Sequence, residues 1–253
     1  MKKYGLIGYP LGHSFSKAFY DRKIRAENIP NVQYDLYPLE DIHQFPSLIG
    51  HSSELYGVNV TIPHKISVLN YLHQLSPEAQ TIGAVNCIQI QRSGTADPFM
   101  IGYNTDAYGF EMSLTPLLRA HHTRALILGN GGAAKAVMYV LDKLGIAWQI
   151  VSRQPILDYN QLAYTDLNQE VIQAHTLIVN TTPLGTYPDI ASCPDLPYAF
   201  LDNSHLLYDL VYNPTETLFL RRGNEAGADT KNGYHMLELQ AEKNWDIWTQ
   251  HTL

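Results

Sequence analysis

Apolar and polar positions along this chain alternate in a way that predicts strands and helices in turn. Tyr4 to Gly8 is a short apolar run, broken by Tyr9-Pro10-Leu11-Gly12. After His13-Ser14-Phe15-Ser16, the residues Ala18, Phe19, Ile24 and Ala26 recur at helical spacing. Val32 to Tyr37 predicts a second strand and Asp41 to Ile49 a weak helix. From Gly57 to Lys65 the chain reads G-V-N-V-T-I-P-H-K, with Val58, Val60 and Ile62 alternating with Asn59, Thr61 and His64. That is the period of a half-buried strand. Pro63 cannot donate to a sheet ladder and predicts its end. Ser76-Pro77-Glu78 is a helix start, with serine at the cap and proline at the first helical position. Cys87 to Gln91 and Met100 to Tyr103 predict strands, and Tyr108, Phe110, Met112, Leu114 and Leu117 a helix after Asn104-Thr105-Asp106.

In the second half Arg124 to Leu128 reads as a buried strand, followed at once by Gly129-Asn130-Gly131-Gly132-Ala133-Ala134. A helix then carries Ala133, Val137, Val140, Leu141 and Leu144 on one face, Gly145 ends it, and Ala147 to Val151 is the next strand. Leu177 to Asn180 and Leu206 to Val211 are further strands, running into Thr181-Thr182-Pro183-Leu184-Gly185 and Tyr212-Asn213-Pro214. A helix with Leu218, Phe219 and Leu220 follows, then a short strand, Ala228 to Lys231, closed by Asn232-Gly233. The last helix sets Leu237, Ala241, Trp245 and Trp248 on one stripe with Gln240 at its edge, and is expected to return to the first part of the chain.

Composition narrows the function classes. A chain of 253 residues forms one large domain or two small ones, and 45% apolar with 16% charged residues is globular. The net charge of -7, with 17 Lys+Arg in no basic run, argues against a nucleic-acid partner. The N-terminal apolar run is too short and too glycine-broken for a signal peptide, and no stretch could span a bilayer. Cys87 and Cys193 form no metal or redox spacing, and none of the 11 histidines shows H-E-x-x-H spacing. The expectation is a cytoplasmic protein with free thiols, no bound metal, no membrane contact and a small-molecule partner, as a monomer or homodimer.

Candidate chemistry gathers where strands end, because open α/β sheets bind ligands at their carboxyl edges. Thr61 and Lys65 follow the Gly57 strand. Ser14 and Ser16 follow the first strand; as alternate residues of an extended segment they could face one ligand, and Ser16 could also cap the helix. Asn86 is a polar side chain bracketed by apolar ones, a ligand contact or a backbone-bonding turn residue. Asp106 is either an acid favoured by a helix N-terminus or the carboxylate that pairs with Lys65. Gln240 is a site residue or an ordinary exposed glutamine. The strand–glycine turn–helix–strand order after Arg124 is a dinucleotide-binding signal, with Ala134 in place of the third glycine. An NAD site wants an acidic residue after the second strand, whereas here stand Ser152-Arg153-Gln154, a guanidinium and hydroxyl suited to a 2′-phosphate. The implied cofactor is NADP, unless Arg153 is a plain surface arginine.

With Ser14-Phe15-Ser16, Asn59 to Lys65, Ile82 to Asn86, Gly102 to Asp106, Gly129 to Ala133, Asp209 to Pro214 and Met236-Leu237 with Gln240-Ala241 in this order, the chain resembles the shikimate dehydrogenase family over nearly its whole length. The resemblance implies an α/β fold of two domains, an N-terminal α/β substrate domain (1-103 plus 236-253) and a Rossmann-type NADP-binding domain (104-235), separated by a cleft. It implies reversible, NADPH-dependent reduction of 3-dehydroshikimate to shikimate in aromatic amino-acid biosynthesis. Lys65 and Asp106 are then the catalytic pair, and Ser14, Ser16, Thr61, Lys65, Asn86, Asp106, Tyr212 and Gln240 hold substrate. Gly129, Asn130, Gly131, Gly132, Ala133, Ser152, Arg153, Thr181 and Gly233 make up the cofactor set. The chain departs from the family where Asn-Arg-Thr is usual, at Ser152-Arg153-Gln154, and at Thr186, where methionine is usual near the nicotinamide. Quinate, or both substrates with NAD or NADP, is the alternative within enzymes; a non-catalytic dinucleotide-binding module is the alternative outside them.

Overall fold

The computed structural model describes residues 1–12, 15–93, 97–156 and 160–249. The chain divides into two compact units, Met1–Tyr108 with Gln240–Leu253, and Gly109–Leu239. Both crossings fall inside helices rather than at 103/104 and 235/236, where the sequence drew them, so Asp106 belongs to the same unit as Lys65.

The first unit contains β1 (Lys2–Gly8), α1 (Phe15–Ala26), β2 (Val32–Pro38), α2 (Phe45–His51), β3 (Leu55–Val60), β4 (Gln74–Leu75), α3 (Pro77–Ile82), β5 (Cys87–Gln91), β6 (Phe99–Tyr103) and the start of α4 (Thr105–Leu114). Its six-stranded sheet has the order β2-β1-β3-β5-β6-β4. β3 runs parallel to β1 and antiparallel to β5. The sheet is therefore mixed, and β3 lies in its interior. The alternation in Gly57–Lys65 predicted one wet face, and the structure corrects this: Val58, Asn59 and Val60 are all buried. Val58 and Val60 of β3 share a core cluster with Ile7, Phe45, Val68 and Ile88. The strand also ends at Val60, before Pro63, so Thr61 to Lys65 form a turn. In that turn His64 is buried with its Nε2 2.7 Å from the Leu39 carbonyl, and it is Ile62 that is exposed.

The second unit begins within α4 and continues through β7 (Arg124–Leu128), α5 (Gly132–Lys143), β8 (Ala147–Ser152), β9 (Gln161–Ala163), α6 (Gln169–Ala174), β10 (Leu177–Asn180), β11 (Leu206–Asp209), α7 (Leu218–Glu225), β12 (Asp229–Lys231) and the first turns of α8 (Tyr234–Thr249). All its strand pairs are parallel, in the order β12-β11-β10-β7-β8-β9. The first strand, β7, sits mid-sheet, and the order reverses between it and β10, the switch point at which such sheets bind ligands. β9 and α6 were not legible in the sequence: β9 is three residues long, and α6 buries only Ile172. What starts α6 is the Asn168 side chain, which accepts from the Val171 N–H at 3.0 Å.

The rest of α8 returns to the first unit, as its apolar stripe predicted. Trp248 stacks on Tyr4 with ring centroids 5.0 Å apart, and Tyr20, Tyr34 and Trp245 complete the cluster. Gly57 lies beneath the indole, and a Cβ there would collide with the Trp248 ring. Among the described residues no helix is long and apolar enough to cross a membrane, and no group of His, Cys, Asp or Glu could hold a metal ion.

Candidate active site

In the first unit Lys65 and Asp106, 41 residues apart in sequence, meet at 2.6 Å between Nζ and Oδ2. Each is set by a different element. Lys65 leaves the turn after β3, and its carbonyl accepts from the Val85 N–H at 2.8 Å. Asp106 sits in the first turn of α4, where the helix dipole favours a carboxylate. Asn104 opens that helix by accepting from the Ala107 N–H at 3.1 Å, and its Nδ2 donates to the Ala84 carbonyl at 3.0 Å. The pair is partly buried, with side-chain exposures of 20% for Lys65 and 12% for Asp106, so it is shielded from water yet open on one side.

Asn86 braces this pair. Its Nδ2 donates to Asp106 Oδ1 at 2.8 Å, and its Oδ1 accepts from the Thr105 N–H at 2.7 Å. Both oxygens of the carboxylate are thereby engaged, one by the amide and one by the ammonium. The backbone of Asn86 is pinned as well: its carbonyl accepts from Val60 N and its N–H donates to Tyr103 O. A bridge from the opposite direction comes through Asn59, whose Nδ2 donates to the Asn86 carbonyl at 3.4 Å and whose Oδ1 accepts from the Tyr34 hydroxyl at 2.8 Å. Burial raises the Tyr34 phenol well above its ordinary value, and the nearby Ser16 side chain offsets part of that rise.

Ser16 does not occupy an extended segment, as the alternation argument had it. It is the second residue of α1, because the helix begins at Phe15. Ser14 lies outside the described residues. Thr61 stands where β3 ends, its N–H donating to Ile7 O at 3.0 Å and its carbonyl accepting from His64 N. Gln240 is buried rather than an exposed glutamine, and its Oε1 accepts from Asn244 at 2.9 Å. The network thus joins Asn86, Lys65, Asp106 and Gln240 through Thr105 and Asn244, with Asn59 and Tyr34 behind Asn86. The linking residues were not singled out as site residues in the sequence. For Asn244 a signal existed: it is a polar residue one helical turn beyond Gln240, on the side of α8 that carries Ala241, Trp245 and Trp248.

In the second unit the glycine turn joins β7 to α5 at the switch point. Gly129 has φ +102°, and a Cβ there would press on Thr181 Oγ1 and Thr182 Cγ2 at 3.0 Å. Thr181 is held in place by its hydroxyl, which donates to the Leu128 carbonyl at 2.7 Å. Gly131 caps α5 with no side-chain partner for the first N–H groups, and nothing stands within 4 Å of the place its Cβ would take. Asn130 is exposed, and Gly132 and Ala133 form the first turn of α5. Ser152 ends β8 with its Oγ buried and without a hydrogen-bond partner, while the neighbouring Arg153 is exposed. An anion-ready helix start, an orphaned hydroxyl and a guanidinium beside it fit a dinucleotide carrying a 2′-phosphate. Gly233 has a different role: a Cβ there would run into the Leu210 carbonyl, so glycine lets the chain before α8 lie against the end of β11. Tyr212 follows β11, and burial raises its phenol above the ordinary value.

Asp209, at the end of β11, is fully buried and holds this edge of the sheet. It accepts from Asn180 at 2.9 Å, from the Val211 N–H at 3.0 Å and from the Thr217 hydroxyl at 2.5 Å. Burial, the dominant influence, raises its carboxyl from 3.8 to about 6 despite those donors. A carboxyl whose folded value is raised favours the fold while protonated, below the unfolded value, and loses that advantage as pH rises through the folded one. Between pH 4 and 7 this group therefore costs the fold a growing amount, on the order of 3 kcal/mol at the upper end. Asp209→Asn should gain stability relative to the wild type by about that amount over this interval. Denaturant midpoints at successive pH values measure it, and a difference that does not vary with pH would contradict the assignment.

A parallel sheet with a glycine turn at its switch point, joined in one chain to a unit bearing a braced ammonium–carboxylate pair, defines a dinucleotide-dependent α/β protein of the oxidoreductase class. The family profile for the shikimate dehydrogenase substrate binding domain matches residues 6–88. The shikimate dehydrogenase (NADP(+)) of Methanococcus maripaludis is 35% identical over 262 residues, covering 98% of this chain and 91% of the relative. The solved shikimate 5-dehydrogenase of Thermus thermophilus, in complex with NADP(H) and shikimate, aligns with a TM-score of 0.84 and 29% identity over 99% of this chain and 94% of that one. A shikimate dehydrogenase in complex with NADP+ aligns at 0.83 with 31% identity, over 98% and 90% of the two chains. The chain belongs to the shikimate dehydrogenase family.

Proposed function

We propose that this chain catalyses the reversible, NADPH-dependent reduction of 3-dehydroshikimate to shikimate. The observation that carries the proposal is the Lys65–Asp106 pair at 2.6 Å, braced by Asn86 at the head of a buried polar network. Bound NADPH supplies the hydride that reaches the ketone carbon. Lys65 Nζ gives a proton to the oxygen that becomes the alcohol, and in the reverse direction takes it back. The same ammonium stabilises negative charge developing on that oxygen, so it contributes by electrostatics as well as by proton transfer. Asp106 keeps the ammonium in place and, with its carboxylate oxygens shared between Lys65 and Asn86, cannot swing away from it. Ser16, Thr61, Asn86 and Gln240, with Ser14 and Tyr212, bind the hydroxyls and carboxylate of the ring.

Arg153 and Ser152 hold the 2′-phosphate in this proposal. Arg153→Ala should raise the KM for NADP+ about tenfold or more, the usual cost of losing a charge-assisted contact. The KM for NAD+, which lacks that phosphate, should stay unchanged. Equal effects on the two cofactors would remove Arg153 from the site.

The direct test is oxidation of shikimate by the purified chain, followed at the absorbance of the reduced nicotinamide. Turnover with shikimate and NADP+ is expected. Turnover with quinate alone would reassign the substrate, and NADP binding without oxidation of either acid would contradict the proposal.

A further inference from the structure

On the reading of the second unit as an NADP site, we propose that Asn180 is a positioning residue that holds the turn 181–185 against the glycine turn and so sets the affinity for NADP+. Asn180 ends β10 and is fully buried. Its Oδ1 accepts from the Thr182 N–H at 3.0 Å and from the Thr182 hydroxyl at 2.6 Å. Its Nδ2 donates to Asp209 Oδ1 at 2.9 Å. The amide has a single orientation that serves these partners. A backbone N–H only donates, and Asp209 Oδ1, which also takes the Val211 N–H at 3.0 Å, is an acceptor. Asp209 grips the far end of the same turn as well. Its Oδ2 accepts the Thr217 hydroxyl at 2.5 Å, and Thr217 Cβ lies 3.3 Å from where a Cβ on Gly185 would stand.

The turn has no donor to spare for a ligand. The Thr181 N–H and hydroxyl both go to the Leu128 carbonyl, at 3.0 and 2.7 Å. Those of Thr182 go to Asn180, and Pro183 has no N–H. The Leu184 N–H donates to Thr182 Oγ1 at 3.3 Å and the Gly185 N–H to Ser192 Oγ at 3.0 Å. Phosphate oxygens need donors, which the start of α5 offers and this turn does not. The turn therefore acts on a dinucleotide through where it stands. It stands close: a Cβ on Gly129 would come within 3.0 Å of Thr181 Oγ1 and Thr182 Cγ2, and within 3.6 Å of the Thr182 nitrogen. Freeing Thr182 from Asn180 releases the wall on which the glycine turn rests. A merely structural asparagine, tying β10 to β11, would cost stability when removed and leave the folded protein's affinity for NADP+ unchanged.

Calorimetric titration of the full chain with NADP+, and separately with shikimate, distinguishes the two. Asn180→Ala should raise the Kd for NADP+ about tenfold or more, and the Kd for shikimate far less. Thr182→Val, at a partly exposed position, keeps the shape and the N–H but removes the hydroxyl, and should raise the Kd for NADP+ about threefold. The double variant should bind less weakly than the product of the two single effects, because both act through one hydrogen-bonded contact. An unchanged Kd for NADP+ in either folded variant, or single effects that multiply in full, would overturn the proposal. Should Asn180→Ala not fold, Thr182→Val decides alone. Titration needs no turnover, so failure of the proposed reaction is read separately, from shikimate oxidation. A wild-type chain that binds no NADP+ would overturn the cofactor reading and this proposal together.

Discussion

Lys65→Ala should lose turnover by at least about 10²-fold and up to about 10⁴-fold, the range over which a positioned proton donor contributes. That corresponds to about 3–6 kcal/mol added to the barrier. The KM for shikimate should move much less, because the ring is held chiefly by hydroxyl and amide groups that the substitution leaves in place. Removing the ammonium does leave the Asp106 carboxylate with Asn86 as its remaining partner of the pair at 2.8 Å, so the fold of the variant should be verified by its circular dichroism before rates are compared. Steady-state kinetics with shikimate and NADP+ measures the effect. Near-normal turnover in the folded variant would remove Lys65 from the chemistry, and a loss confined to KM would recast it as a binding residue.

The second large effect belongs to stability. Trp248→Ala should cost about 3–5 kcal/mol, the range for truncating a buried large aromatic residue. The side chain is 1% exposed, stacks on Tyr4, and lies 5.5 Å from the Tyr20 ring between centroids. Its Nε1 donates to the Ile88 carbonyl at 3.0 Å, so truncation removes that partner as well as leaving a cavity over Gly57. Such a loss is a large share of the about 5–15 kcal/mol that holds an ordinary domain folded. Because the same helix carries Gln240 and Asn244, affinity for shikimate should fall with it. Denaturant unfolding measures the first effect, and a midpoint within experimental error of the wild type would mean that α8 is not anchored through this indole.

Much of the fold was legible because its strongest signals are local. The continuous apolar run Arg124–Leu128, followed by glycines and an amphipathic helix, could be read as a β–α–β unit without any knowledge of neighbours. The Ser76-Pro77 helix start is real for the reason inferred: the Ser76 hydroxyl accepts from the Ala79 N–H at 3.1 Å. What failed depended on tertiary surroundings. β3 looked half-buried because Asn59 interrupts its valines, yet Asn59 is buried since Tyr34 and the Asn86 backbone satisfy it. Polarity in a sequence does not reveal that a partner waits across the sheet. Ser16 lies inside α1 rather than ahead of it, because the sequence offers two serines, Ser14 and Ser16, as candidate caps and does not fix which residue begins the helix. Lys65 and Asp106 were named as a pair through family resemblance, whereas their bracing by Asn86, Thr105 and Asn244 rests on contacts between residues as many as 139 positions apart.

The most direct measurement is a crystal structure of this chain with shikimate and NADP+ bound. The hydroxyl that is oxidised should lie within hydrogen-bond reach of both Lys65 Nζ and the Asp106 carboxylate, with Gln240 beside another oxygen of the ring. A ligand seated with that hydroxyl out of reach of Lys65, or bound away from the residues linked to Asn86, would contradict the account.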